Sequence, residues 1–262
     1  MFQSVIKNRV LIYKLAKRDI EARYKGSAIG TLWAIVNPII MLCVYSFVFS
    51  VVFQAKWGAL SNGKGVFAVV LFAGLIIFNF LAECIGRGPT IFLSNVNYVK
   101  KVVFPLGCLP ISAGLSALFN FTISFVILLM AQLAIFGSIP LTALLFPVFF
   151  LPVFMIGLAL LFLFSSIGVY LRDLSQLVPL IITFLMFLSP IFYPLSAIPA
   201  EYRSLMSINP LAFIIENARE LLIMGNTPSF ASFLVLYISS IFLLAFAVYV
   251  FKKTKKGFAD VI

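Results

Sequence analysis

The sequence has no histidine, only three cysteines, and few charges: Asp, Glu, Lys and Arg make up 10% of its 262 residues. Without histidine, the side chain most used as a general base and as a zinc ligand is missing. Cys43, Cys84 and Cys108 lie in or beside apolar stretches with no metal-ligand spacing, so they predict neither a metal site nor a disulfide framework and read as packing residues. No GxxxxGK[ST] phosphate loop occurs, so the chain does not hydrolyse ATP by the usual route. The glycines of residues 58–65 do not make up for this, because they fall in a loop on the side where nucleotide is not available. A Ser/His/Asp set, an HExxH motif and paired carboxylates within an apolar segment are also missing. These absences predict a protein that is not an enzyme by itself.

What is present is apolar. Hydrophobic residues are 63% of the chain and mean hydropathy is +1.16, whereas soluble domains carry about 25% charged residues. The composition predicts an all-α integral membrane protein. A hydrocarbon core of roughly 30 Å needs about 20 apolar helical residues, and six segments qualify, near residues 31–54, 66–86, 108–136, 142–170, 175–193 and 230–251. Residues 1–30 form an interfacial lead-in, and residues 31–262 one transmembrane domain.

The net charge of +11 would suggest nucleic acid in a soluble chain, but here the positions of the charges set topology instead. With the N-terminus inside, fifteen of the nineteen Lys and Arg residues fall on the inner side. Only Lys56, Lys64, Arg203 and Arg219 fall outside. Both termini are therefore expected in the cytoplasm. A seventh span at 205–224 is disfavoured, because Glu216, Arg219 and Glu220 would each cost a few kcal/mol near a bilayer centre. Residues 190–230, broken by Pro190, Pro194, Pro199 and Pro210, are read as short external helices, re-entrant or gate-like, between spans five and six.

Residues 1–26 show no cleavable signal pattern. Ile6, Val10, Tyr13, Ala16 and Ile20 recur at helical spacing opposite Lys7, Lys14, Arg18, Glu21 and Lys25. This pattern fits an amphipathic interface helix and equally a plain topology anchor attracted to anionic headgroups. Glu83 is the one acidic residue within a span. It reads either as an ion pair with Arg87, four residues on along the same helix, or as an ion-coupling site of a secondary carrier.

Four stretches resemble the ABC-2-type permeases that export polysaccharides such as O-antigen, capsule and teichoic acid. The first is Arg23-Tyr24-Lys25-Gly26-Ser27-Ala28-Ile29-Gly30-Thr31-Leu32-Trp33, running on to Asn37-Pro38. The second is Val99-Lys100-Lys101-Val102-Val103-Phe104-Pro105, and the third Leu171-Arg172-Asp173-Leu174. The fourth runs from Ser189-Pro190-Ile191-Phe192-Tyr193 to Asn209-Pro210-Leu211. They occur in order along nearly the whole chain. The stretch from Gly74 to Phe80 departs from the pattern, since the family often carries Trp there.

The resemblance implies a homodimer in the bacterial inner membrane, working with two copies of a cytoplasmic ATPase that binds the ATP and Mg. Its cargo would be a lipid-linked glycan. The chain itself would hold no cofactor or metal and bind no nucleic acid. The resemblance also implies that Asn95, Asn97, Tyr98, Lys100 and Lys101 contact the ATPase. Spans one and five would line the path with Tyr45, Phe49, Phe184, Phe187, Phe192 and Tyr193, and the short helices near 198–206 and 211–224 would gate it. An ABC-2 permease for a small molecule shares the fold and is the nearest alternative.

Overall fold

The computed structural model of the chain describes residues 7–53, 57, 65–100, 104–199, 201–202, 206 and 208–262. The described residues are helical, with no strand among them. The helices are α1 (Arg9–Tyr24), α2 (Trp33–Tyr45), α3 (Val66–Arg87), α4 (Val96–Val99), α5 (Cys108–Phe136), α6 (Phe146–Tyr170), α7 (Leu174–Leu188), α8 (Pro210–Arg219), α9 (Phe230–Thr254) and α10 (Phe258–Val261). Single π-helical turns extend α2 over Ser46–Val52 and α8 over Glu220–Met224.

Among the described residues, five helical stretches are long and apolar enough to cross a membrane: Gly30–Val52, Val66–Thr90, Cys108–Phe136, Leu141–Tyr170 and Phe230–Val261. The sixth expected segment, 175–193, differs. Its helix α7 has 15 residues and stops at Leu188, which at about 1.5 Å per residue spans only ~22 Å. Ser189 is extended (φ −96°, ψ 147°) and Pro190 follows. A proline cannot donate to the carbonyl four residues back and restricts the residue before it to extended conformations, so the helix ends there.

Helix α3 is the axis of the bundle. Apart from Asn79, Glu83 and Arg87 on one face near its end it is apolar on all sides, as befits a helix enclosed by others, and most of its apolar length is buried. Around it pack α2, α5, α6, α7 and α8, while α6 also carries α9 along its length. By contrast, no residue of the most apolar window of α2 is buried, and α7 exposes Leu177, Leu180, Ile181, Phe184, Phe187 and Leu188.

At one end of the bundle α1 and α10 both pack near the end of α3. Phe258 of α10 packs its ring 4.9 Å from Phe92, which follows α3, and Asp19 of α1 pairs with Arg87 at the end of α3. The turn from α1 into α2 runs through Gly26 and Gly30, with φ of +88° and +55°, a region that other L-residues rarely enter. Helix α1 packs on α5 through Ile12, Leu15 and Ala16. This is not the stripe expected from sequence. Of that stripe Ala16 is buried, but Val10 and Tyr13 are 61% and 66% exposed, and Ile6 lies outside the described residues. Both sides of α1 carry apolar residues; the side that faces the protein is the one that brings Asp19 and Arg23 to α3.

Candidate functional site

At the end of the bundle away from the termini, the aromatic residues of α2, α3 and the segment after α7 form a continuous run. Phe187 lies 6.2 Å from Phe192, Phe192 6.0 Å from Phe49, and Phe49 5.2 Å from Phe67, measured between ring centroids. Phe67 meets Trp57 edge-on at 5.2 Å. Tyr193 lies beyond Phe192 and donates its hydroxyl to the Phe187 carbonyl at 2.9 Å. Phe184 is one turn from Phe187 on the exposed face of α7 and makes no ring contact among the described residues. Tyr45 is half-buried on α2, one turn before Phe49. The fold thus assembles Phe49, Phe187, Phe192 and Tyr193 and leaves Phe184 and Tyr45 beside them. Phe67 and Trp57 belong to the same run and were not expected from sequence, since nothing local marks two aromatics in different segments as neighbours.

The run ends on Arg219. Its guanidinium carbon lies 4.3 Å above the Trp57 ring, and the residue is 1% exposed. This charge is buried rather than solvated: Nε donates to the Val70 carbonyl (3.1 Å), Nη1 to the Pro190 carbonyl (2.6 Å) and to Glu216 Oε1 (2.7 Å), and Nη2 to the Ile191 carbonyl (2.9 Å). Burial lowers its pKa and the Glu216 carboxylate opposes that shift. Gly74 makes room, because a Cβ there would lie 2.8 Å from Arg219 Nη2.

These bonds answer a specific question about α7. A helix that stops short at membrane depth leaves carbonyls with no intrahelical donor, and the hydrocarbon supplies none. Here Ser189 N caps the Leu185 carbonyl at 3.0 Å, Tyr193 takes Phe187, and Asn209 Nδ2 reaches the Leu188 carbonyl at 3.3 Å. Ile191 N turns back to the Ser189 carbonyl at 2.7 Å, and Arg219 satisfies Pro190 and Ile191. Asn209 also caps α8 by accepting from Leu211 N at 2.9 Å, with Pro210 at the first helical position, where its missing N–H costs nothing. Gln132 and Thr142 fasten the far part of α8 through the Leu222 and Leu221 carbonyls at 2.5 and 2.6 Å.

At the terminal end, Glu83 and Arg87 belong to a wider network. Arg87 Nη1 is 3.4 Å from Glu83 Oε1, but its Nη2 sits 2.5 Å from Asp19 Oδ2, and Glu83 itself pairs with Arg23. Asn120 Nδ2 adds bonds of 3.3 and 3.1 Å to the two Glu83 oxygens, and Tyr24 donates to Asn120 Oδ1 at 3.5 Å. Burial lowers the Arg23 pKa, but the Glu83 hydrogen bond and charge raise it further, so the net shift is upward. Glu83 is thus held by three donors on three helices.

Beside this network lies the loop between α3 and α5. Arg18 Nη1 donates to the Tyr98 hydroxyl at 2.7 Å, and the Tyr98 ring packs at a tilt against Phe104, centroids 4.5 Å apart. Asn95 folds back onto the Ile91 carbonyl at 2.9 Å, while Asn97 and Lys100 are exposed. Lys101 lies outside the described residues, and Pro105 is half-buried. Of the remaining motif residues, Trp33 starts α2, Asn37 is exposed and Pro38 lies within the helix. Arg172 and Asp173 are exposed in the turn into α7, where the Asp173 carbonyl accepts from Gln176 N and Leu177 N at 2.9 and 3.1 Å. No group of three or more metal-ligating side chains occurs among the described residues.

Residues 10–223 match the ABC-2 type transporter family. The chain is 31% identical to the O-antigen export system permease protein RfbA of Myxococcus xanthus, over 97% of this chain and 96% of that protein. It is 27% identical to the protein of the same name from Klebsiella pneumoniae over 96% and 95%. It is 26% identical to the polysialic acid transport protein KpsM of Escherichia coli over 83% of each chain.

Proposed function

Since the chain belongs to the ABC-2 type transporter family, a family of multi-pass membrane proteins, we propose that it is the permease subunit of an ATP-driven exporter of a lipid-linked polysaccharide. The glycan is of O-antigen or capsule type and moves outward across the bacterial inner membrane. Similarity over nearly the full length of relatives named for O-antigen export and polysialic acid transport supports the substrate class. Hydrolysis of ATP, with its Mg, belongs to a separate ATPase, two copies of which serve two copies of this chain.

The observation that carries the mechanism is the aromatic run Phe187, Phe192, Phe49 and Phe67, set beside the unpartnered apolar faces of α2 and α7. Two copies meeting through those faces line one path with Tyr45, Phe49, Phe184, Phe187, Phe192 and Tyr193. Aromatic faces suit a sliding polymer because they contact sugar C–H surfaces without fixing one register. The segment from 189 to 224, held by Arg219 and Asn209, closes the outer end of that path.

The chain crosses the membrane six times, with the termini in the cytoplasm. In support of this reading, α1 and α10 pack at the same end of the bundle, as an even number of crossings would place them. With five long helices, α7 and its extended continuation make the sixth. Asn95, Asn97, Tyr98, Lys100 and Lys101 then face the ATPase. Its closure moves the loop, and through Arg18 and Tyr98 it moves α1.

A carrier driven by an ion gradient through Glu83 fits less well, because that carboxylate is engaged by Arg23, Arg87 and Asn120. The test is glycan display in cells lacking the cognate ATPase. Lipid-linked glycan should accumulate inside, and persistent display would overturn the reading.

A further inference from the structure

A groove of about 550 Å³ opens on the flank of the bundle between α5, α6 and α9. Ile111 and Leu115 form one wall, Leu158 and Phe162 another, and Ala245 and Val248 the third; every side chain lining it is apolar. A buried water needs polar partners, so water does not fill this space in the bilayer, and leaving it empty would forfeit dispersion contacts along its walls.

The groove points toward a set of charges. On α9 the lining residues Ile241, Leu244, Ala245 and Val248 share one helical face, and the next position on that face is Lys252. Lys253, Lys255 and Lys256 follow, all four lysines are exposed, and none enters an ion pair among the described residues. At a rise of about 1.5 Å per residue, Ile241 to Lys252 spans ~16 Å. That matches one leaflet of a hydrocarbon core roughly 30 Å thick.

We infer that this groove is a binding site for an anionic phospholipid, with one acyl chain lying along α9 and the phosphate held at Lys252, in the field of Lys255 and Lys256. An acidic headgroup fits because basic residues at the membrane surface attract anionic lipids, each by about fivefold in affinity. A second copy of the chain is the wrong occupant. A two-fold contact through this groove would set the lysine-rich ends of two α9 helices near each other, and like charges repel. The face of α2 and α7 available to a second copy contributes nothing to the groove. The site stands on the spans and the lysine tail alone, whatever the bundle transports.

Native mass spectrometry of the full-length protein released from nanodiscs of phosphatidylglycerol or phosphatidylcholine tests this. The wild type should retain one phosphatidylglycerol per chain at least tenfold more than phosphatidylcholine. Ala245→Trp, which fills the groove from its exposed rim, should abolish retention of either lipid. Lys252→Gln combined with Lys255→Gln and Lys256→Gln should reduce phosphatidylglycerol to the phosphatidylcholine level and leave the thermal midpoint unchanged. Equal retention of both lipids by the wild type would overturn the site, as would undiminished binding in both variants. So would a polyprenyl phosphate co-purifying in place of phospholipid, or disulfide trapping of two chains through Ala245→Cys.

Discussion

Arg219 shows how one charge can hold irregular backbone in an apolar setting. Its five-donor fork is shared among three carbonyls and one carboxylate on three segments, a pattern that lysine, with a compact ammonium, cannot reproduce. Arg219→Met should lower unfolding stability in detergent by about 3–5 kcal/mol, because the Val70, Pro190 and Ile191 carbonyls all lose their donor away from water. Arg219→Lys should recover less than half of that. Gly74→Leu should mimic Arg219→Met by pushing the guanidinium aside. Thermal melts of the three proteins check this, and wild-type stability in Gly74→Leu would show that the arginine has slack. The Glu83 network makes a different prediction. Glu83→Gln keeps a partner for Asn120 and loses the pairing with Arg23, so it should cost only about 1 kcal/mol at this partly exposed site. Transport in that variant should show no altered response to a proton or sodium gradient; a changed response would restore the carrier reading.

At the scale of elements, α7 and α1 are the informative helices. Helix α7 ends early, and its end is completed by side chains from α8 and its cap. Asn209→Ala should therefore disturb both helices at once. It removes the N-cap of α8, worth about 1 kcal/mol, together with the donor to the Leu188 carbonyl, so the total loss should exceed that of an ordinary cap. Denaturation in graded detergent mixtures would measure the difference against Ser229→Ala, which removes a cap on α9 and a local hydroxyl contact with Ser232 but touches no second helix. Helix α1 touches the loop before α5 through Arg18 and Tyr98. If that loop docks on the ATPase, Lys100→Glu with Lys101→Glu should reduce ATPase recovered by affinity purification at least tenfold. Tyr98→Phe should leave recovery intact and slow export, since it uncouples α1 without altering the docking charges. Loss of recovery in Tyr98→Phe would place the tyrosine at the interface itself.

For the whole molecule, the proposed six crossings and two-fold assembly make paired predictions. Cysteine placed at Ser27 or Lys256, in a background lacking Cys43, Cys84 and Cys108, should be labelled by an impermeant maleimide only after the cells are opened. Cysteine at Ser138, between α5 and α6 at the opposite end, should be labelled in intact cells. Labelling of Ser27→Cys and Lys256→Cys from opposite sides would reduce the crossings to an odd number. Cysteine at Ile181, on the exposed face of α7, should cross-link two copies, whereas cysteine at Phe242, exposed on α9, should not.

Much of this architecture was legible in the sequence because its signals are additive and local. Apolar run length and loop charge mark the long spans, whereas the stop of α7 at Leu188, five residues short of the expected 193, was not read from the sequence. Absent nucleotide and catalytic motifs, together with four ordered stretches, pointed to an ABC-2 permease. Tertiary structure alone decided the rest. Arg219 reads in sequence as one more external charge, and its burial depends on carbonyls from 29 and 149 residues away in the chain. Glu83 reads as the partner of Arg87, yet α1 brings Arg23 and Asp19 to the pair, and α1 turns Ile12 and Leu15 inward although Val10 and Tyr13 have the same local character. The lysines near the end of the chain were visible as topology signals; only the packing of α9 against α6 placed an apolar groove behind them. The physical reason is common to all of these. Length, hydropathy and turn chemistry act on neighbours in the chain, while the partner of a polar group in an apolar interior is chosen by whichever helix packing brings it a donor.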